Sequence, residues 1–146
     1  MKTLFLPYHR QFDEETGTWC LTGRDSEGQE FGVAAAETIE DAEDRLRSWV
    51  LDSLLASATD GEDRISDLSP YRPQMGPAIA FSGADLLPVR LRLARVRRGL
   101  SQARLAEILG KSQQAYAKLE RPGANPQIRT IQQIERAIDE ELLQLV

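Results

Sequence analysis

The sequence predicts an α+β protein in which a small antiparallel sheet with one helix precedes an all-α domain. Three patterns carry this prediction: short apolar runs separated by turn residues, then one long amphipathic helical pattern, then several short helical patterns. Together they divide the chain into residues 1–84 and residues 85–146. A chain of 146 residues is long enough for two small domains.

The first part begins with three runs that favour an antiparallel meander. Residues 2–12 carry apolar and aromatic residues with partial alternation, and residues 18–25 and 30–37 form two further runs. Gly17 and Gly28 lie between these runs, and glycine is typical of the tight turns that connect antiparallel strands. We therefore expect two consecutive hairpins.

One amphipathic helix is expected to follow the meander. Thr38 and Asp41 have the spacing of an N-cap residue and its capping carboxylate. The helix should end near Ala58, before the loop of residues 59–77, which is rich in Asp, Ser, Gly and Pro, and a short fourth strand within residues 77–83. The apolar positions that recur at helical spacing are Ile39, Ala42, Leu46, Trp49, Val50 and Leu54.

The second part carries four short helical patterns. Asp85 is expected to cap the first helix, with Pro88 in its first turn, while Ser101 and Ser112 cap the second and third helices. Gly110 supplies the left-handed residue that a tight turn requires. Because each helix is too short to be stable alone, we expect one shared core. Its expected members are Val89, Leu93, Val96, Leu105, Ala106, Ile108, Leu109, Ala115, Tyr116, Leu119, Ile128, Ile131, Ile134 and Ile138.

Charge is divided unequally along the chain. Residues 1–80 hold 7 Lys and Arg against 16 Asp and Glu, a net charge of −9. Residues 81–146 hold 11 against 7, a net charge of +4, and the stretch 86–136 reaches +8 with 11 against 3. This asymmetry indicates that the C-terminal part meets a polyanion, whereas the N-terminal part either meets a basic partner or is a solvated acidic surface.

Several classes of protein are disfavoured by the composition. The single cysteine, Cys20, has no partner for an internal disulfide and no neighbouring ligands for a zinc site. The first ten residues lack the long apolar run of a secretory signal, and no segment reaches the ~18 apolar residues needed to span a bilayer. We therefore expect a cytoplasmic protein with no metal, no cofactor and no membrane association.

Four short motifs fall at the spacing of one family of DNA-binding domains. They are Leu-Ser-Gln at residues 100–102, Leu-Ala at 105–106, Leu-Gly-Lys-Ser at 109–112 and Leu-Glu-Arg at 119–121. Over residues 88–140 the chain thus resembles the Xre/Cro family of phage-repressor-like helix-turn-helix domains.

The resemblance assigns roles to individual residues. Gln102 would contact a phosphate and brace Gln113, and Gln113 with Gln114 would face base edges, since a glutamine amide can bridge adenine N6 and N7. Arg95 and Glu120 would form a structural ion pair. Arg90 and Arg92 would add unspecific attraction to DNA. The DNA-binding set implied in this way is Gln102, Lys111, Ser112, Gln113, Gln114, Lys118 and Arg121.

The order of elements in front of this domain resembles the HicB family of antitoxins. Residues 37–54 match the helix of that family, and residues 67–73 resemble its Pro-rich loop. Residues 23–32 depart from it, because the family often carries a proline-and-glycine segment at this place. The resemblance implies a truncated ribonuclease-H-like domain that has lost catalysis.

The partner implied by this resemblance is a HicA-like toxin, a small basic mRNA interferase. An acidic antitoxin domain suits such a surface, because opposite potentials speed encounter. The other expected partners are operator DNA and further copies of the chain, in a homodimer or a higher oligomer. Candidate toxin contacts are Asp13, Glu14, Glu15, Asp25 and Glu27.

Two other functions compete with the antitoxin interpretation. An enzyme is disfavoured, because the carboxylates around residue 14 have the sequence of an exposed turn and His9 has no evident catalytic partner. A stand-alone Xre-type transcription regulator, with an N-terminal domain that senses a ligand or dimerises, is the stronger alternative. A short basic reading frame beside the gene would favour the antitoxin, and its absence would favour the regulator.

Overall fold

A computed structural model describes residues 2–139 and Leu142 of the chain. Its first part contains a four-stranded antiparallel sheet with the order β3-β2-β1-β4, in which β4 pairs with β1 through Leu4 opposite Phe81 and Leu6 opposite Ile79. The expected meander and the expected α+β class are both confirmed. The strands are β1 (Leu4–Asp13), β2 (Thr18–Arg24), β3 (Glu30–Ala36) and β4 (Ala78–Phe81).

Helix α1 (Ile39–Thr59) covers one face of the sheet. Thr38 caps it as expected, since its Oγ1 accepts a hydrogen bond from the Asp41 amide at 3.1 Å. Trp49, expected in the buried stripe, is instead 45% exposed and lies at the edge of α1 against Phe31. Gly32 permits this contact, because a Cβ atom there would approach the indole ring to 2.8 Å.

Helix α2 (Gly83–Arg97) joins the two parts of the molecule by contributing to two separate apolar cores. One face of α2 packs against the sheet and α1, through Leu86, Val89 and Leu93. Another face packs against the helices that follow, through Leu87, Leu91 and Ala94. Val89 and Leu93 were expected in the core of the C-terminal helices. They are buried in the core formed with the sheet and α1, because α2 packs between the two cores.

The start of α2 differs from the expectation. Ser82, and not Asp85, is the N-cap residue, and the two form a reciprocal capping box in which the Ser82 amide donates to Asp85 Oδ2 at 2.8 Å. Pro88 consequently lies inside the helix and not in its first turn. The expected division between residues 84 and 85 falls in the first turn of this shared helix, and the separate folding of the two parts stays a prediction.

The remaining helices enclose the second core. They are α3 (Gln102–Leu109), α4 (Gln113–Ala117), which continues as a 3-10 turn over Lys118–Glu120, and α5 (Ile128–Ile138). The expected set of four short helices is confirmed. We call α3, α4 and α5 with their core the helical lobe, and the sheet, α1 and their core the sheet lobe.

Three residues expected in the helical core are exposed. Ile108 is 46% exposed, because α3 and α5 leave an open groove between them where it lies. Ile128 is the first residue of α5, and the buried stripe of that helix begins only at Ile131. Ala115 faces outward, since the short helix α4 buries only Tyr116.

Candidate nucleic-acid interface

Helices α3 and α4 meet across a tight turn that the local sequence dictates. Gly110 adopts φ 69°, a left-handed conformation that favours glycine, and the Lys111 amide closes the turn on the Ala106 carbonyl at 2.9 Å. Ser112 caps α4, because its Oγ accepts from the Ala115 amide at 3.1 Å. The fully buried Tyr116 packs α4 against the core, and the first turn of the helix is exposed.

The residues expected to read DNA lie on this outward surface. Gln113 and Gln114 occupy the first turn of α4 and are exposed, and their side chains make no hydrogen bond to any residue that the structure describes. Lys118 and Arg121 are exposed at the other end of the same helical segment. Two amides flanked by two cations can approach base edges and phosphates respectively. Ser112 is exposed and Lys111 is half-buried beside them.

Gln102 makes a contact that was not expected, and its expected contact with a phosphate stays a prediction. Its Nε2 atom donates a hydrogen bond to Glu120 Oε1 at 3.2 Å, so the amide braces Glu120 and not Gln113. A carboxylate is a stronger acceptor than a side-chain amide, which explains the preference. The side chain stays half-buried at the start of α3.

Glu120, at the end of the 3-10 turn, is the centre of a buried ionic cluster. Its carboxylate is completely buried and accepts two hydrogen bonds from Arg95, one from Nε at 2.7 Å to Oε2 and one from the terminal nitrogen at 3.1 Å to Oε1. These are the two residues that the sequence pairs. Burial alone would raise the pKa of Glu120, but the hydrogen bonds and the charge of Arg95 outweigh it and hold the pKa below its ordinary value.

Tyr116 places a second polar group beside this cluster. Its hydroxyl is buried and makes no hydrogen bond within the described part of the chain. Burial, and then the neighbouring Glu120 carboxylate, raises the pKa of the hydroxyl, so it stays protonated. The ring itself belongs to the core of the helical lobe.

Arg92, expected to add unspecific attraction to DNA, is half-buried and forms hydrogen bonds with two other elements. Its Nε donates to Glu120 Oε1 at 3.2 Å, and one terminal nitrogen donates to Thr59 Oγ1 at 3.3 Å. The expected unspecific attraction of this cation to DNA stays a prediction. The sequence indicated that Arg92 could reach the partner of Arg95, because the two arginines are three residues apart and lie on one face of a helix. Arg90 is half-buried.

The carboxylates expected to contact the toxin do not form one surface. Asp13 and Asp25 cap their own turns, accepting hydrogen bonds from the amides of Glu15 and Glu27, each at 2.9 Å. These turns lie at opposite ends of β2, roughly 20 Å apart at the rise of an extended strand. The side chains that project from these turns into solvent are those of Glu14, Glu15 and Glu27.

Two further structural findings concern sites of other kinds. Among residues 2–139 and Leu142, no three His, Cys, Asp or Glu side chains are grouped so as to hold a metal ion. None of the helices described is both long and apolar enough to cross a bilayer.

Comparison with known proteins assigns the helical lobe. Residues 91–145, less than half of the chain, match a family model described as helix-turn-helix. No curated protein matches the chain. The matched range contains the capped helices α3 and α4, the Gly110 turn and the Arg95–Glu120 pair. The chain therefore contains an Xre/Cro-type helix-turn-helix within the matched range, which supports a DNA-binding transcription regulator.

Proposed function

We propose that the chain is an antitoxin of a type II toxin-antitoxin system, which neutralises a HicA-like mRNA interferase and represses its own operon. The observation that carries the proposal is the division of charge between two lobes that share one helix. Residues 1–80, with a net charge of −9, build most of the sheet lobe, and the stretch 86–136, with +8, includes the DNA-binding helices. Each lobe thus suits a partner of opposite charge.

Operator recognition would reside in α4. The amides of Gln113 and Gln114 would contact base edges in the major groove, while Lys118 and Arg121 would contact phosphates and fix the register. Two copies of the chain would bind two half-sites about 34 Å apart, one turn of the double helix. Dimerisation, or a higher oligomer, follows from this geometry.

Gln113→Ala tests the assignment of base reading. We expect it to weaken binding to the operator by about 1–3 kcal/mol, because each bidentate base contact contributes that much discrimination. Toxin binding should be unchanged. Affinities for operator and for an unrelated duplex, measured at one fixed salt concentration, give the comparison, and equal loss of DNA and toxin binding would contradict separate tasks for the two lobes.

Helix α1 offers a toxin-binding surface that the sequence did not single out. Asp41, Asp44 and Asp52 are exposed on one side of the helix, and the half-exposed Trp49 lies at the edge of that side. Interfaces are commonly anchored by an aromatic side chain within a polar rim. These side chains share one helix, whereas the two carboxylate-bearing turns are separated by the length of β2.

The order of elements supports the truncated ribonuclease-H-like interpretation of the sheet lobe. Three strands, one helix and a fourth strand beside the first follow one another as that interpretation requires. All strand pairs are antiparallel, so the support comes from element order and not from strand direction.

The test is co-expression of the full chain with the protein encoded by the adjacent short basic reading frame, scored by growth and co-purification. Two variants with equal charge change separate the candidate surfaces: Asp41→Lys with Asp44→Lys and Asp52→Lys on α1, and Glu14→Lys with Glu15→Lys and Glu27→Lys on the turns. We expect rescue by the natural chain and by the turn variant, and loss of rescue by the α1 variant.

Other outcomes of this experiment are equally informative. Loss of rescue by the turn variant alone would return the toxin site to the hairpins. If the adjacent protein is not toxic, or if the natural chain neither rescues growth nor co-purifies, the antitoxin proposal fails. The chain would then be a stand-alone regulator, in which the shared helix α2 connects the sheet lobe to the DNA-binding helices.

A further inference from the structure

The side chain of Arg92 connects three structural elements. It extends from α2 and donates to the carboxylate and to the backbone carbonyl of Glu120, the latter at 3.4 Å. Its remaining terminal nitrogen donates to Thr59 Oγ1, at the last residue of α1. One guanidinium therefore contacts both the end of the DNA-binding helical segment and the end of the helix that covers the sheet.

The contact to the Glu120 carbonyl fixes the C-terminal end of the DNA-binding segment. A planar guanidinium with several donors holds its acceptors in a defined geometry, which a flexible amine does not. The same Glu120 Oε1 atom also accepts from Gln102 at the start of α3. The two helices that form the helix-turn-helix are thus tied to one carboxylate.

Arg95 and Arg92 differ in what they connect. Arg95 bonds to Glu120 and to the Leu100 carbonyl, both in the matched helix-turn-helix range, so its contacts stay inside the DNA-binding domain. Arg92 reaches beyond that range to Thr59, 33 residues away along the sequence. Without Arg92, the buried carboxylate would still be paired with Arg95.

We propose that Arg92 is a positioning residue through which the sheet lobe sets the orientation of the helix that reads DNA. Thr59 anchors one side of the guanidinium to α1, and the other side holds the end of the segment that carries Gln113 and Gln114. The sheet lobe is then part of the apparatus for sequence discrimination. This inference rests on the proposed base-reading role of α4.

The experiment measures discrimination and not only affinity. The probes are a duplex selected by the natural full-length chain from a randomised pool and an unrelated duplex of equal length. The dissociation constant for the unrelated duplex is divided by that for the selected duplex, and this ratio is determined for Arg92→Ala, Arg92→Lys and Thr59→Val. Thr22→Val is the matched control, because Thr22 lies in β2 and makes no side-chain hydrogen bond within the described residues.

We expect Arg92→Ala to lower the ratio about tenfold and Thr59→Val about threefold, because the first removes all the hydrogen bonds of the guanidinium and the second removes only the one between Arg92 and Thr59. Arg92→Lys should keep the natural affinity for the unrelated duplex, since charge is kept, but should not restore the full ratio. Thr22→Val should leave the ratio unchanged. If Arg92→Ala fails to fold, Thr59→Val and Arg92→Lys carry the test alone.

An unchanged ratio in both folded Arg92→Lys and Thr59→Val would overturn the proposal. A parallel loss of affinity for the two duplexes would overturn it too, because that pattern reports charge or stability and not orientation. Failure of the underlying base-reading assignment has a separate signature. In that case Gln113→Ala would leave the ratio unchanged, whatever the Arg92 and Thr59 variants do.

Discussion

The sheet lobe and the helical lobe bury different kinds of side chain. The core of the sheet lobe consists of apolar residues, with Tyr8 the only polar-tipped member among those described. The helical lobe has a smaller core with a charged cluster beside it, and Arg95 and Glu120 are the two buried charged residues in the described part of the chain. A small core is therefore combined with an ionic centre whose partners depend on one another, so the two lobes should respond differently to substitution and to pH.

The largest effect is expected from Glu120→Gln. This substitution removes the charge that compensates buried Arg95 and should destabilise the helical lobe by about 4 kcal/mol. Amide hydrogen exchange in α3 and α5 measures the effect, while tryptophan fluorescence reports the sheet lobe, which contains both Trp19 and Trp49. Exposed Glu15→Gln is the control. Equal loss in both lobes would show that they unfold as one unit.

Leu46→Ala should produce the next largest effect, with the lobes reversed. Leu46 is completely buried between α1 and the sheet, and its truncation should cost about 3 kcal/mol through lost burial and the cavity that remains. We expect the tryptophan-fluorescence transition to move to a lower urea concentration. Protection of the amides of α5 from hydrogen exchange should be retained. Met75→Ala, at a position 90% exposed, is the matched control and should change neither reporter.

Ser82→Ala tests the helix that both lobes share. Removing this cap leaves the amide of Asp85 without its acceptor and should cost about 1 kcal/mol. Because α2 contributes to both cores, tryptophan fluorescence and amide exchange in α3 and α5 should both report a loss of stability. In the previous variants only one of the two should change. Ser26→Ala in the β2–β3 turn serves as the control. A shift confined to one reporter would contradict the structural role assigned to α2.

Acidification should produce the smallest and most selective change. The folded pKa of Glu120 lies below its ordinary value of 4.5, so its ionised form contributes stability above that value. This contribution is lost as the pH falls through the folded pKa. Amide protection in α3 and α5 should therefore decline in acid before the apolar core of the sheet lobe is affected. In Glu120→Gln this pH dependence should vanish, and its persistence would assign it to other carboxylates.

Much of the fold follows from local patterns. The strands, the Thr38 cap, the Gly110 turn and the pairing of Arg95 with Glu120 are all evident from short spacings or from a family resemblance. The start of α2 was predicted wrongly, because two residues of the N-cap type lie within four positions. Asp85 has the residue type of an N-cap, but the reciprocal bonds with Ser82 start the helix earlier and place Pro88 inside it.

The sequence by itself determined the order of elements, the division of charge and the presence of two exposed amides at the start of α4, because each depends on residue types within a few positions. The tertiary structure alone decided which groups meet across the chain. Arg92 lies 33 residues from Thr59 and 28 from Glu120, and no local pattern records that one guanidinium reaches both. The separation of the acidic turns and the double use of α2 were likewise fixed by packing, which selects partners by shape and burial and not by distance along the chain.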